Sequence, residues 1–170
     1  MSPFRVEKTE LDGVLLVSPP TQHEDFRGTY VEIYNETLYN QAGIRTKFIQ
    51  DDYSTSSQHV LRGIQGDGVT TKLISCIYGV IYVIVVNNDP ASPQYRKWKS
   101  FTLSDTNRNQ VLIPPKFGNA FLVISPTAVF HYKQDTLYDR AGQFTLKWND
   151  PAFNFWWPIR DPILSERDFA

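Results

Sequence analysis

Three cationic side chains occur beside segments of strand-like composition. Arg27 precedes Gly28, Arg62 lies between Leu61 and Gly63-Ile64, and Lys72 begins an apolar run. A charge among apolar residues is costly to bury unless it is paired or contacts a ligand. Because the planar guanidinium fork matches phosphate geometry, two arginines and a lysine at one cavity would suit a diphosphate. A polar turn at Arg27 and three separately solvated cations are the alternatives that the spacing leaves open.

A tyrosine within a predicted strand is the candidate acid. Phe130, His131 and Tyr132 are consecutive, and neighbouring strand residues point to opposite faces, so at most one of His131 and Tyr132 faces an interior. A phenol with a pKa of roughly 10 can donate a proton without bringing a competing charge. A core tyrosine with a satisfied hydroxyl is the alternative.

The other polar residues give weaker signals. Gln50-Asp51-Asp52-Tyr53-Ser54 is a dense polar cluster that, taken alone, is typical of a loop. His23, His59 and His131 are scattered without His-x-His spacing. We therefore predict no metal site.

Composition excludes several classes of function. The net charge of -1, with 41% hydrophobic and 21% charged residues, gives no electrostatic case for nucleic acid or anionic membrane as a partner. Cys76 is the single cysteine and lies in an apolar run, where a buried strand thiol is expected. No apolar signal core or stretch of about 20 apolar residues occurs, so we predict a cytoplasmic protein.

Short β-rich segments separated by glycine and proline turns predict an all-β fold in one domain over residues 1–170. About ten strands are expected, with a short helix from Asn35 to Ala42 closed by Gly43. A sandwich and a double-sheet jelly roll fit this pattern equally. The predicted strands span residues 14–17, 28–34, 47–50, 60–64, 73–86 (broken at Gly79), 97–103, 110–113, 120–124, 128–132 and 144–148.

Taken in order, several segments resemble the dTDP-4-dehydrorhamnose 3,5-epimerase family. Each is weak alone, but their order and intervals are specific, and they run from about Asp25 to Asp168. The segments are Asp25-Phe26-Arg27-Gly28, Gln50-Asp51-Asp52-Tyr53-Ser54, Leu61-Arg62-Gly63, Lys72-Leu73, Ile113-Pro114-Pro115, Tyr132-Lys133, Trp148-Asn149-Asp150-Pro151, Trp157-Pro158 and Leu164-Ser165-Glu166-Arg167-Asp168.

The resemblance implies a cupin-like, jelly-roll homodimer without metal or organic cofactor, acting on a nucleotide-linked 4-keto sugar. The ketone acidifies the hydrogens at C3 and C5, so that a base can remove one and an acid can return a proton on the other face. By position, Tyr132 matches the acid, Asp168 the aspartate that orients the base, and Lys72 the cation near the ketone. Arg27, Glu32, Gln50 and Arg62 match residues that hold the sugar nucleotide, and Tyr138 matches an aromatic that stacks on the base.

Four positions depart from the family pattern. Gln65 stands where the histidine base is expected, and an amide cannot take up a proton at neutral pH. Asn119 replaces a second histidine but can still donate a hydrogen bond to an oxyanion. Val83 and Gln143 stand where an aspartate and a glutamate are usual. We expect all of these positions to line the pocket, with Asn119 and Gln143 binding substrate.

Three explanations fit Gln65: an engineered substitution in a competent enzyme, a natural glutamine with another group or water as base, or a protein that binds without turnover. Intact Tyr132, Asp168 and Lys72 favour the first. Divergence in the pocket also favours a substrate other than a dTDP-deoxyhexose, such as a GDP-linked 4-keto heptose or hexose of capsule synthesis. A 3,4-ketoisomerase and a non-catalytic sugar-nucleotide binder are the alternatives to epimerisation.

Overall fold

The computed structural model describes residues 4–19 and 21–169. Strands dominate this part of the chain, and its two helices are short. In chain order the elements are β1 (Arg5–Lys8), β2 (Leu15–Ser18), β3 (Thr21–Asp25), β4 (Gly28–Glu32), α1 (Glu36–Gln41), β5 (Gln50–Ser57), β6 (Leu61–Gly66), β7 (Lys72–Tyr78), β8 (Val80–Asn87), β9 (Trp98–Ser104), β10 (Gln110–Ile113), β11 (Phe117–Val123), β12 (Thr127–Gln134), β13 (Phe144–Thr145) and α2 (Glu166–Phe169).

Two antiparallel sheets form the body of the fold. The first has the order β1-β2-β10-β7-β12-β5, and the second has the order β13-β6-β11-β8-β9. Among the residues that the structure describes, strands β3 and β4 pair only with each other and form a separate hairpin. The predicted all-β, double-sheet jelly roll is confirmed.

Apolar side chains from both sheets pack into one core. Val83 and Phe121 come from the second sheet, and Ile74 and Phe130 from the first. The rings of Phe121 and Phe130 stack with centroids 4.3 Å apart. Both rings also line a cavity, so the core ends where that cavity begins.

The outer faces of the sheets are covered by segments without regular structure and by α1. A second apolar cluster packs Leu61 and Leu122 against Phe153, with Trp148 and Trp157 partly buried beside it. On the first sheet, Leu73 and Leu112 pack beneath Tyr39 of α1. The helix begins at Asn35, whose side chain accepts a hydrogen bond from the backbone of Leu38.

The predicted helix is thus confirmed, and it ends before Gly43, whose φ of 91° suits a glycine after a helix. No helix within the described ranges is long and apolar enough to cross a membrane.

Cys76 is buried at 4% exposure and donates to the carbonyl of Tyr78, as expected of a strand thiol. Burial raises its pKa to about 12, so the thiol is not a nucleophile at neutral pH.

One predicted strand is misplaced. The strand expected at residues 47–50 begins only at Gln50 and continues to Ser57, through the polar cluster predicted as a loop. This strand is at the edge of the first sheet and is polar on both faces, so it lacks the apolar alternation that marks a half-buried strand. The strand predicted at 144–148 is also shorter, covering Phe144–Thr145.

Candidate active site

A cavity of about 230 Å³ opens between the two sheets. It receives side chains from β5, β7 and β12 of the first sheet and from β6 and β11 of the second. Seven of the predicted site residues line it: Arg62, Gln65, Lys72, Asn119, Tyr132, Tyr138 and Gln143. Tyr53, Ser54, Ile74, Phe121, Phe130 and Gln134 complete the lining.

Gln65 lines this cavity, and Asp168 lies buried behind it. The Gln65 Nε2 atom donates to Asp168 Oδ1 at 2.8 Å, which leaves the amide carbonyl as the group that residue 65 offers to a ligand. Asp168 is 4% exposed, and Ser165 Oγ donates to its other oxygen at 2.6 Å. Asp168, which by resemblance to the family was expected to orient the group at residue 65, therefore lies directly behind Gln65.

The chain near its C-terminus brings Asp168 to β6. Residue Ile163 accepts a hydrogen bond from the backbone of Leu61 at 2.9 Å, and α2 follows immediately. The backbone N–H of Gly63 then donates to Asp168 Oδ1 at 3.3 Å. Gly63 has a φ of 114°, and a Cβ there would lie 2.6 Å from the carbonyl oxygen of Asn119. Only glycine fits this close approach without moving the neighbouring strand.

Tyr132 lies on β12, in the sheet facing Gln65. Burial, with smaller effects of Asp52 and Tyr138, raises the pKa of Tyr132 to about 12, so the phenol keeps its proton. His131 points away from the cavity, where its ring bonds to Ser75 Oγ at 3.1 Å and Asp51 Oδ1 at 2.9 Å. The expectation that only one of His131 and Tyr132 faces the interior is confirmed.

Lys72 is one of the cationic residues that line the cavity. Within residues 4–19 and 21–169 its ammonium has no hydrogen-bond or ion-pair partner, although it lines the cavity. Desolvation lowers its pKa, opposed by the attraction of Asp67 and reinforced by Arg167. A half-buried, unpaired ammonium is well placed to contact an oxyanion of a ligand.

Further polar groups surround the rest of the cavity. Arg62 Nε donates to Ser56 Oγ at 3.0 Å, and no carboxylate of the described residues pairs with its guanidinium. Arg167 Nη2 donates to Gln143 Oε1 at 3.0 Å, which leaves the Gln143 amide nitrogen for other partners. The charges within reach of the cavity are thus mainly cationic, as a phosphorylated ligand requires.

Gln134 is a cavity residue that sequence reasoning missed. It is 2% exposed, and its Nε2 atom is buried without a hydrogen-bond partner. Strand alternation was the available signal, because Gln134 is two residues beyond Tyr132 and must share its face. An unsatisfied buried donor in a cavity is a group that a ligand oxygen can satisfy.

Gln134→Leu is therefore expected to raise the free energy of unfolding of the unliganded protein by about 1 kcal/mol, since an unpaired buried donor is removed. The same change is expected to weaken binding of a sugar nucleotide by roughly tenfold. Thermal denaturation and calorimetry measure the two effects. A variant that is less stable and binds equally well contradicts this role, and Gln58→Leu on the exposed turn after β5 is the control.

Three predicted binding residues do not line the cavity. Arg27 is on the separate hairpin and pairs with Asp25, from Arg27 Nη2 to Asp25 Oδ2 at 2.5 Å. Glu32 ends the same hairpin. Gln50 bridges its neighbours, donating to Asp52 Oδ2 at 2.7 Å and accepting from the backbone of Tyr138 at 2.9 Å.

The expectation that Val83 lines the pocket is wrong. Its side chain is fully buried in the apolar core between the sheets, where it packs with Phe101 and Phe121. Valine is an ordinary occupant of such a position, so its presence carries no information about the ligand.

The fold and cavity together define a cupin-type β-barrel with a polar pocket inside the barrel. The family model for dTDP-4-dehydrorhamnose 3,5-epimerase matches residues 8–170. The dTDP-4-dehydrorhamnose 3,5-epimerase of Methanothermobacter thermautotrophicus is 35% identical over 173 residues, covering 99% of this chain and 93% of that protein. The chain belongs to the dTDP-4-dehydrorhamnose 3,5-epimerase family.

Solved structures agree with this assignment. The dTDP-4-dehydrorhamnose 3,5-epimerase of Bacillus anthracis, crystallised with TDP and PPi bound, superposes with a TM-score of 0.92 at 31% identity and covers 97% of this chain and 96% of its own. The dTDP-6-deoxy-D-glucose-3,5-epimerase of Legionella pneumophila, in complex with dTDP-4-keto-L-rhamnose, has a TM-score of 0.91 at 30% identity, covering 97% and 89%.

Proposed function

We propose that this chain is a single-domain cytoplasmic enzyme that enolises a nucleoside-diphosphate 4-keto sugar and epimerises it at C3, C5 or both. Gln65, in place of a histidine base, makes inversion slow. The observation that carries this proposal is one cavity lined by Gln65, with Asp168 behind it, and by Tyr132 on the facing sheet. Lys72 lines the same cavity and has no partner among the described residues.

The chemistry follows from these positions. A base at residue 65, the imidazole in Gln65→His and a water in the chain itself, takes the hydrogen from the carbon next to the ketone. The bonding electrons then move onto the ketone oxygen near Lys72. Tyr132 then returns a proton to that carbon from the opposite side, which inverts its configuration. The Lys72 ammonium stabilises the negative oxygen while the enolate exists.

Residue 65 limits the rate. The Gln65 amide donates to Asp168 as an imidazole N–H would, but its carbonyl oxygen does not accept a proton at neutral pH. Loss of a general base typically costs about 10²–10⁴ in rate. The chain as given should therefore bind substrate with ordinary affinity and invert it slowly.

The nucleotide end of the substrate is assigned to the polar mouth of the cavity. Arg62 can clamp the diphosphate, and Tyr138, with 47% of its surface exposed, offers a ring for a base to stack on. Gln143 and Asn119 supply amide donors in place of the charged groups of relatives. These changes favour a nucleotide or sugar other than dTDP-deoxyhexose, and a GDP-linked hexose or heptose for surface polysaccharide is our specific candidate.

The hairpin supports a homodimeric assembly. Arg27 in the turn and Glu32 at the end of β4 belong to a hairpin that, among the described residues, joins neither sheet. This hairpin exposes 98% of Phe26 and 66% of Tyr30. If these two residues bind substrate, they do so after the hairpin of one protomer enters the cavity of its partner. The site is then incomplete in a monomer, because the arginine fork that meets the phosphates comes from the second copy.

Mixed dimers test this arrangement. In the Gln65→His background, Arg27→Ala and Tyr132→Phe chains are each expected to be nearly inactive alone. A purified dimer of one chain of each kind should regain about half of the activity, since one of its cavities has an intact hairpin and an intact tyrosine. If every residue acted within its own chain, mixing would restore nothing.

Deuterium uptake in heavy water tests the function itself. The chain and its Gln65→His variant are incubated with dTDP-, GDP- and CDP-linked 4-keto sugars, and deuterium at C3 and C5 is measured by NMR and mass spectrometry. We expect rapid uptake by the histidine variant with at least one substrate. A histidine variant that binds these nucleotides but exchanges nothing would identify a binding protein and overturn the enzyme proposal.

A second candidate is a 3,4-ketoisomerase. The observation in its favour is that Tyr132, on the sheet facing Gln65, is intact. A shift of the keto group between neighbouring carbons needs proton transfer on one face only. NMR of the same reactions distinguishes the two, because a ketone at C3 of the product marks isomerisation and an inverted carbon marks epimerisation.

A further inference from the structure

Asp52 is a carboxylate next to the candidate acid. In the pairing of β5 with β12, Asp52 is the direct cross-strand partner of Tyr132, and their neighbours Asp51 and Lys133 are partners on the opposite face. Directly opposed residues share a face with Cβ atoms about 4.5–5.5 Å apart. The carboxylate therefore lies beside the phenol, behind the surface that a substrate touches.

The position of Asp52 is fixed by neighbouring groups. Gln50 Nε2 donates to Asp52 Oδ2 at 2.7 Å, and the same Gln50 side chain accepts from the backbone of Tyr138 at 2.9 Å. No cation pairs with Asp52 in the described residues, whereas Asp51 is neutralised by Lys133 at 2.7 Å. A carboxylate without a cationic partner next to a phenol can accept the phenolic proton.

Resting on the proposed function, we infer that Asp52 and Tyr132 form a proton relay that serves as the base of this chain in place of a histidine at residue 65. The Tyr132 oxygen takes a hydrogen from the carbon next to the ketone as the Tyr132 proton passes to the Asp52 carboxylate. The electron pair of the broken C–H bond moves onto the ketone oxygen at Lys72. Reversal of both transfers returns a proton to the same face.

This inference favours the explanation that glutamine is natural at residue 65 and another group acts as base. A carboxylate can act as the base next to a ketone when the enolate oxygen is well stabilised. The relay also agrees with a Tyr132 pKa of about 12, raised by burial and by Asp52, because the phenol stays protonated until a carbon acid reaches it.

The relay makes a stereochemical prediction. The relay acts only on the face of the sugar that Tyr132 contacts. It therefore exchanges the hydrogen of the epimer whose C–H bond points to Tyr132, and that carbon keeps its configuration. Both dTDP-4-keto-L-rhamnose and its C3/C5 epimer, dTDP-4-keto-6-deoxy-D-glucose, should be offered, together with the corresponding GDP sugars. We expect the chain that retains Gln65 to incorporate deuterium into one epimer of each pair without inverting it.

Asp52→Asn tests the relay in two backgrounds. In the chain that retains Gln65, deuterium uptake is expected to fall by at least about tenfold. In Gln65→His, uptake into the epimer whose C–H bond faces residue 65 is expected to stay within about threefold, because histidine supplies the base there. Asp51→Asn, the adjacent carboxylate on the opposite face, is the matched control and should change neither rate.

The outcomes separate the inference from the function on which it rests. Equal uptake by the chain and its Asp52→Asn variant, whether both are measurable or neither is, overturns the relay. A similar fall in both backgrounds also overturns it, since Asp52 would then support the site generally. Calorimetry with dTDP and GDP checks that Asp52→Asn leaves nucleotide affinity unchanged. Absence of uptake in Gln65→His with all substrates instead refutes the proposed function.

Discussion

Replacing Gln65 with histidine is expected to raise the rate of sugar inversion by about 10²–10⁴-fold, the usual contribution of a general base. The surroundings already suit an imidazole. Asp168 Oδ1 accepts from Gln65 Nε2 at 2.8 Å, and Ser165 and the backbone of Gly63 hold the same carboxylate. An imidazole N–H in place of the amide would donate to Asp168 and leave its other nitrogen as a base facing the sugar.

The rate of product formation, followed by NMR on a dTDP or GDP 4-keto sugar, measures this effect. Gln58→His places a histidine on an exposed turn and is the control for non-specific gain. Asp168→Asn in the Gln65→His background should remove most of the gain, because the imidazole loses the carboxylate that orients and charges it. A Gln65→His protein that folds, binds nucleotide and inverts no faster than the chain as given would falsify the assigned role of residue 65.

Lys72→Met in the Gln65→His background is expected to lower turnover by about 10²–10³-fold, as for removal of one oxyanion-stabilising group. Lys72 lines the cavity without a partner among the described residues, and burial lowers its pKa. Its charge is therefore available to the ketone oxygen when that oxygen becomes negative. Methionine keeps the unbranched apolar stem of lysine, so the packing of that stem against the cavity wall should survive.

A split between binding and chemistry identifies this role. Affinity for dTDP or GDP alone should be unchanged in Lys72→Met, because neither nucleotide carries the ketone. Lys97→Met, at an exposed position outside the cavity lining, is the matched control and should leave turnover as it was. Loss of nucleotide affinity with turnover intact would assign Lys72 to the phosphates instead.

Apolar alternation and glycine or proline turns were enough to predict an all-β fold, and the family resemblance was needed to choose the jelly roll over a sandwich. The same rule failed at Gln50–Ser57, an edge strand whose inner face turns polar side chains to the cavity. Strand β1 was also missed, since Arg5–Lys8 has one half-buried residue and three exposed ones. Periodicity detects burial in an apolar core, and it is silent where a strand faces a polar cavity or solvent.

Sequence motifs located Gln65, Lys72 and Tyr132 at one cavity, because each follows a recognisable segment of its strand. They could not place Asp52 beside Tyr132 or Gln134 in the cavity, because both placements depend on how β12 pairs and which face it turns inward. Val83 shows the reverse error, since a family position was carried over although the residue here belongs to the core. Pairing register and side-chain direction are long-range properties that a single sequence does not fix.

The most direct test is a crystal structure of the chain with a dTDP- or GDP-linked 4-keto sugar bound, since Gln65 should slow its conversion. We expect the sugar ring between Gln65 and Tyr132, with the ketone oxygen within hydrogen-bonding distance of Lys72 Nζ and the diphosphate at Arg62. A sugar bound elsewhere, or a ring whose ketone faces away from Lys72 with Tyr132 out of reach of C3 and C5, would contradict the account.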